Sequence, residues 1–231
     1  MGISKIMNKL NPEQRKAAED IYGPSMVIAG PGSGKTFTLV ARTANMIHNG
    51  IPAHKIILFT FTKKAATEIK ERVVSTIGEE ASNIMVGTYH SVCSRFLRKY
   101  AEYVGLTKTF SIFDTDDCKK LIKEVIKTSG YNFEADKVLW KISDYKSKLI
   151  DPSTALREST NVLERQVAEL YQLYTRKMTE QNSLDFDDMI YKTVRLLEQY
   201  PDVKREINNT YEYIVAEFIG PYYGNVVCVS L

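Results

Sequence analysis

The stretch Met26–Thr36, MVIAGPGSGKT, constrains this chain more than any other: a short apolar run breaks into three alternating glycines and closes on Lys-Thr. Val27 and Ile28 read as a buried strand. Gly30, Gly32 and Gly34 let the backbone curl until its N–H groups converge on one point, which makes an anion site. A helix opening at about Gly34 adds its positive end, Lys35 reaches outer phosphates, and the Thr36 hydroxyl is placed to ligate Mg²⁺. The pattern G-x-x-x-x-G-K-[ST] is missed at one position, where Ala29 stands for the first glycine. Alanine is the smallest alternative there. The competing reading is a glycine-rich turn without a ligand, and the Lys-Thr pair directly after the glycines argues against it.

At 231 residues the chain has room for one substantial α/β core carrying a smaller second body. A composition of 44% hydrophobic and 26% charged residues excludes a disordered chain. The formal charge of +3 neither demands nor excludes nucleic acid, so that partner has to be argued from local features. Cys93, Cys118 and Cys228 are scattered without a C-x-x-C pair, which argues against zinc or a disulfide framework and fits the reducing cytoplasm. No run of about 18 apolar residues occurs, so no membrane partner is expected.

Asn11-Pro12-Glu13 reads as an N-cap and a first-turn proline opening a helix from Pro12 to about Ile21. The helix after the glycine loop runs to about His48, where Asn49-Gly50 stops it. Ile56–Phe59 is an apolar strand of the covered, parallel kind, and Ile84–Gly87 a third. Thr60, Phe61 and Thr62 follow the first of these, and Thr88, Tyr89, His90 and Ser91 the other. In an open α/β sheet that edge is where ligands sit. Arg95, Arg98 and Lys99 lie in the next helix among Phe96 and Tyr100. Helices at about Asp116–Thr128, capped by Asp114, at Ala135–Lys148 and at Thr160–Glu180 then mark an all-helical subdomain over 109–182. It divides an α/β core spanning 1–108 and 183–231. Leu184-Asp185-Phe186-Asp187-Asp188 opens a further helix, its carboxylates either capping it or serving a site. Tyr213–Val215 and Asn225–Val229 are two more short strands.

From Leu10 to Val229 the chain resembles the N-terminal motor domain of superfamily 1 DNA helicases of the UvrD/Rep/PcrA type. The likeness rests on several separate motifs standing in family order. It implies an α/β fold of the P-loop NTPase (RecA-like) class, a parallel sheet flanked by helices with a helical insert. ATP and Mg²⁺ are the implied cofactors, single-stranded DNA the implied partner. By match, Gln14 recognises adenine, and Ala29, Gly30, Pro31, Gly32, Ser33, Gly34, Lys35 and Thr36 form the phosphate loop, with Thr36 on the metal. Arg42 matches an arginine near the nucleotide, whereas Phe37 departs from the family's usual arginine. Leu58–Arg72 and Gly87–Cys93 resemble the DNA-contacting motifs, which assigns Thr60, Phe61, Thr62, Lys63, Thr88, Tyr89 and His90 to the strand. Cations for phosphates and flat rings for bases suit such a path. Phe61 as core, His90 as a structural polar group and the basic helix as solvated surface remain open.

The family's Val-Asp-Glu-Phe-Gln-Asp reads here Val215-Ala216-Glu217-Phe218-Ile219-Gly220. Glu217 keeps the matched role of catalytic base, but Ala216 has no acceptor to hold a metal's water shell and Ile219 no amide to sense the terminal phosphate. The family's later motifs, including its second motor domain, do not follow. The resemblance therefore implies a truncated helicase domain that binds nucleotide, hydrolyses it weakly or not at all, and does not unwind alone. Two alternatives stay open: an active ATPase completed by a protein carrying the missing motor domain, or a noncatalytic regulatory module.

Overall fold

The computed structural model describes residues 2–30, 32–220 and 224–228, so Pro31 and Val229 among the expectations above lie outside the described residues. In chain order the elements are α1 (Ile3–Met7), α2 (Pro12–Glu19), β1 (Met26–Ala29), α3 (Lys35–His48), β2 (Ile56–Thr60), α4 (Lys63–Ile77), β3 (Met85–Thr88), α5 (Tyr89–Lys99), β4 (Ser111–Ile112), α6 (Thr115–Ser129), α7 (Ala135–Ser147), α8 (Pro152–Glu158), α9 (Val162–Glu180), β5 (Ser183–Leu184), α10 (Phe186–Gln199), α11 (Pro201–Thr210), β6 (Tyr213–Gly220) and β7 (Gly224–Cys228). They form two compact units, residues 1–92 with 204–231, and residues 93–203.

The first unit is a five-stranded sheet in the order β1-β7-β6-β2-β3. β2 runs parallel to both β3 and β6, with Phe59 opposite Gly87 on one side and Ala216 on the other. β7 is antiparallel to both its neighbours, placing Cys228 opposite Ala216 and Met26. The short link between Gly220 and Gly224 explains this, because a parallel neighbour needs a crossover of a dozen or more residues. Two antiparallel steps leave β1 pointing the same way as β6, so the C-terminal ends of β1, β2, β3 and β6 share one edge of the sheet.

Ile56 and Leu58 on β2 and Val215 on β6 are buried under Leu39 and Val40 of α3 and Ile69 and Val73 of α4. Each such side chain contributes roughly 1.5–3 kcal/mol on leaving water. Against the expectation of a buried β1, Ile28 is 62% exposed. β1 lies at the sheet's edge, and of its residues Val27 packs against this core. Tyr89, His90 and Ser91, which follow β3, form the first turn of α5. Gly87 permits that abrupt change, since a Cβ there would stand 2.6 Å from Ser91 Oγ and 3.1 Å from Val92 Cγ2.

The second unit is helical around Ile122, Ile142, Leu170, Tyr171 and Tyr174, contributed by α6, α7 and α9. Asp114 caps α6 as expected, accepting from the Asp116 and Asp117 N–H groups at 2.9 Å. The start and end of the helical run are tied together by the two-residue parallel pair β4–β5. Beside it, Asn182, in the left-handed region at φ 48°, accepts from Thr107 N at 2.9 Å and donates to Thr107 Oγ1 at 2.7 Å.

Candidate functional site

The turn from β1 to α3 is shaped by Gly32 and Gly34, whose φ angles of 75° and 80° lie in the region that only glycine enters at little cost. Gly34 is the N-cap of α3, and the helix starts with neither a side-chain cap nor an acidic residue in its first turn. The first N–H groups of α3 therefore carry the helix's positive end without an internal carboxylate to meet it. Lys35 Nζ folds back to donate to Gly30 O at 2.7 Å, and Ser33 N reaches the same carbonyl at 3.3 Å. A single bond to a backbone carbonyl is one that a phosphate oxygen can replace.

A cavity of about 320 Å³ opens beside this turn, lined by Gln14, Ala29, Gly30, Ser33, Lys35 and Thr38 among others. Gln14 reaches it because Asn11 and Gln14 form a reciprocal capping box: Asn11 N donates to Gln14 Oε1 at 3.0 Å and Gln14 N to Asn11 Oδ1 at 2.8 Å. The Gln14 Nε2 group then donates to Ser33 O at 2.8 Å, tying the start of α2 to the glycine turn. Thr36 is half-buried in the first turn of α3.

At the ends of the parallel strands, Thr60 is fully buried and its hydroxyl donates to Glu217 Oε2 at 2.8 Å. The Tyr89 ring stacks on Phe59 with centroids 4.7 Å apart and planes 7° from parallel. Burial, and behind it the negative Glu217, pushes the Tyr89 hydroxyl up to about 12. Phe61 stands 66% exposed just beyond β2, with Lys63 and Lys64 exposed after it. Thr62 caps α4, accepting from Ala65 N at 3.1 Å, and Thr88 Oγ1 accepts from Ser91 N at 3.2 Å.

Residues 10–218 match the family model described as the UvrD/REP helicase N-terminal domain. The chain belongs to the UvrD/REP helicase family. It is 36% identical over 216 residues to the ATP-dependent DNA helicase PcrA of Staphylococcus aureus strain Mu50, covering 92% of this chain and 30% of that protein. A probable DNA helicase II homolog from Mycoplasma capricolum is 35% identical over 225 residues, 94% of this chain and 31% of its own length. The chain thus spans about a third of the length of these curated relatives.

In this UvrD/REP chain Ala29, Gly30, Ser33 and Lys35 of the loop come together with Gln14 at one cavity, whereas Gly32, Gly34, Thr36, Arg42 and Glu217 do not line it. Arg42 is buried, and its guanidinium donates to Ala17 O at 2.7 Å, holding α2 against α3. Glu217 lies opposite Val227, which lies opposite Val27, so one strand separates it from β1. Phe37, where the resemblance expects arginine, packs against the core. His90 is half-buried at the start of α5. Asn11 lines the cavity beside Gln14 and was legible only as a cap; Gln three residues after it is the capping-box signal that also aims the glutamine. No group of three or more His, Cys, Asp and Glu side chains is placed to hold a metal among the described residues.

Two of the carboxylates opening α10, Asp185 and Asp188, turn inward, while Asp187 is exposed. Asp185 and Asp188 form a capping box, and buried Lys146 of α7 sits 2.6 Å from Asp185 and 2.9 Å from Asp188. Burial alone would lower the Lys146 pKa, but the two carboxylates hold it well above its ordinary value. Sequence reasoning missed this partner, which lies on another helix at no diagnostic spacing.

Proposed function

We propose that this chain binds ATP or ADP in the cavity beside its glycine turn, turns the nucleotide over slowly or not at all, and does not separate DNA strands by itself. The observation that carries the reading is the glycine-capped start of α3 opening beside Lys35 and Gln14. Exposed phosphates complete such a helix start, Lys35 shifts from the Gly30 carbonyl onto them, and the Gln14 amide offers a donor and an acceptor to a base edge. The description of the Staphylococcus aureus relative as an ATP-dependent DNA helicase supports the same ligand.

Magnesium, when bound with the nucleotide, would screen the outer phosphates and leaving group, and Thr36 is the protein oxygen that would hold it. Ala216 offers no second acceptor, and Glu217 is engaged by Thr60 on the β2 side of its strand. Both features support slow turnover. The exposed Phe61 ring followed by two exposed lysines supports contact with single-stranded DNA at the same sheet edge.

Phosphate release measured with Mg²⁺ and ATP, with and without oligothymidylate, tests the reading. We expect rates well under about 1 s⁻¹ in both conditions. Release faster than that, or a large stimulation by the oligonucleotide, would overturn the slow-turnover half and favour an intact motor.

A further inference from the structure

The first unit holds another cavity, of about 320 Å³, between α1, α3 and α4, and it shares no lining residue with the one beside the glycine turn. Its floor is apolar. Ile6 and Val40 there are buried, and the half-buried Phe37 ring packs against the same core. Successive residues of α3 thus line different cavities, Phe37 this one and Thr38 the one at the glycine turn. Lys9, just past α1, and Arg72 of α4 make the wall cationic, and no aspartate or glutamate lines it among the described residues.

The positive charge on this wall is only partly met from within. Lys9 is exposed, and its ammonium has no acidic partner among the described residues. Arg72 meets Glu68 at 2.5 Å on its own helix, but both side chains are nearly half exposed, and a pair of that kind contributes at most about 1 kcal/mol. A guanidinium carries donors on all three of its nitrogens, so Arg72 can take a second carboxylate without leaving the first. The wall hydroxyls are already engaged: Ser75 Oγ and Thr76 Oγ1 both donate to Arg72 O, at 3.0 and 2.7 Å.

We propose that this cavity is a docking site for an acidic segment of a partner protein that carries a large apolar side chain among its carboxylates. Charge complementarity selects the acid, because the wall holds two cations and no carboxylate. The floor selects the apolar side chain: burying a leucine on it contributes roughly 1.5–3 kcal/mol, while the flanking carboxylates meet Lys9 and Arg72. A nucleic acid would also satisfy the cations, but its base edges would meet aliphatic side chains and hydroxyls that already donate to a carbonyl.

Fluorescence anisotropy tests this with the whole chain and a labelled peptide of paired leucines flanked by aspartates. One control peptide replaces the aspartates with asparagines, another replaces the leucines with alanines, and labelled oligothymidylate is titrated in parallel. We expect saturable binding of the acidic leucine peptide below about 1 mM, weakened by salt, with either control bound at least about tenfold more weakly. Lys9→Glu should weaken the acidic leucine peptide about tenfold with unchanged thermal unfolding, whereas Lys9→Arg should stay within about twofold of the native chain. Ser75→Trp, which fills the cavity from its exposed rim, should weaken the peptide about as much as removing its leucines does. No saturable binding, equal binding of either control, or an unchanged affinity in Lys9→Glu or Ser75→Trp would each overturn the proposal. So would a larger effect of Lys9→Glu on oligothymidylate than on the peptide, which would assign the patch to nucleic acid.

Discussion

Two helices of this chain begin in opposite ways. α3 opens on Gly34 and Lys35 with no side-chain cap and no acid in its first turn, whereas α10 opens on the Asp185–Asp188 capping box with Asp187 between. Both have the same positive end to satisfy. In α10 the chain supplies the anion itself and then balances the surplus charge with Lys146, which is buried at 3% exposure between two carboxylates. In α3 nothing internal does so, and Lys35 rests half-buried on a single backbone carbonyl. The difference separates a lysine that holds a structure together from one left free to move onto a ligand.

The largest expected effect comes from breaking the closed end. Lys146→Ala leaves two carboxylates buried without their cation, and should cost about 3–5 kcal/mol in urea unfolding. A loss below about 1 kcal/mol would mean that α10's acids are solvated rather than paired. Converting the open end into a closed one is the next step down. Gly34→Asp gives α3 its own carboxylate at a position with φ 80° and a Cβ 2.8 Å from Gln14 Nε2, which would have to give up its bond to Ser33 O. It should cost about 1–2 kcal/mol in the same unfolding experiment and, measured by equilibrium dialysis, weaken nucleotide binding at least about tenfold.

The smallest effect belongs to α8, another acid-capped start. Burial raises the Asp151 carboxyl, but hydrogen bonds from Ser153 and Thr154 outweigh it and hold the group down to about 2, below the ordinary 3.8. A depressed carboxyl contributes stability that is present above its unfolded value and lost as pH falls through the folded one. Between about pH 4 and pH 2 the native chain should therefore lose about 1 kcal/mol more than Asp151→Asn, the amount reduced by solvent screening of a side chain that is 35% exposed. Parallel acid-unfolding curves check it.

Legibility followed the range of the interaction. The glycine turn, the Asp114 cap and the apolar β2 strand are written in neighbouring residues, and each folds as read. α8 and α11 were missed although Asp151-Pro152 and Tyr200-Pro201 carry the proline signal that opens a helix. The antiparallel course of β7 also follows from local length, since so short a link cannot cross the sheet. Hidden were the pairings made in space. Thr60 meets Glu217, and Arg42 meets Ala17 O, across separations that no periodicity encodes. Residues read as parts of a ligand site can thus be held by the fold's own partners, and only coordinates distinguish the two.

Calorimetric titration of ADP into the native chain and into Lys35→Ala is the most direct test of the open helix start. We predict saturable binding by the native chain, weakened at least about tenfold by the substitution, with the two proteins unfolding within about 0.5 kcal/mol of each other. Equal affinities, or no heat of binding to the native chain, would contradict the account.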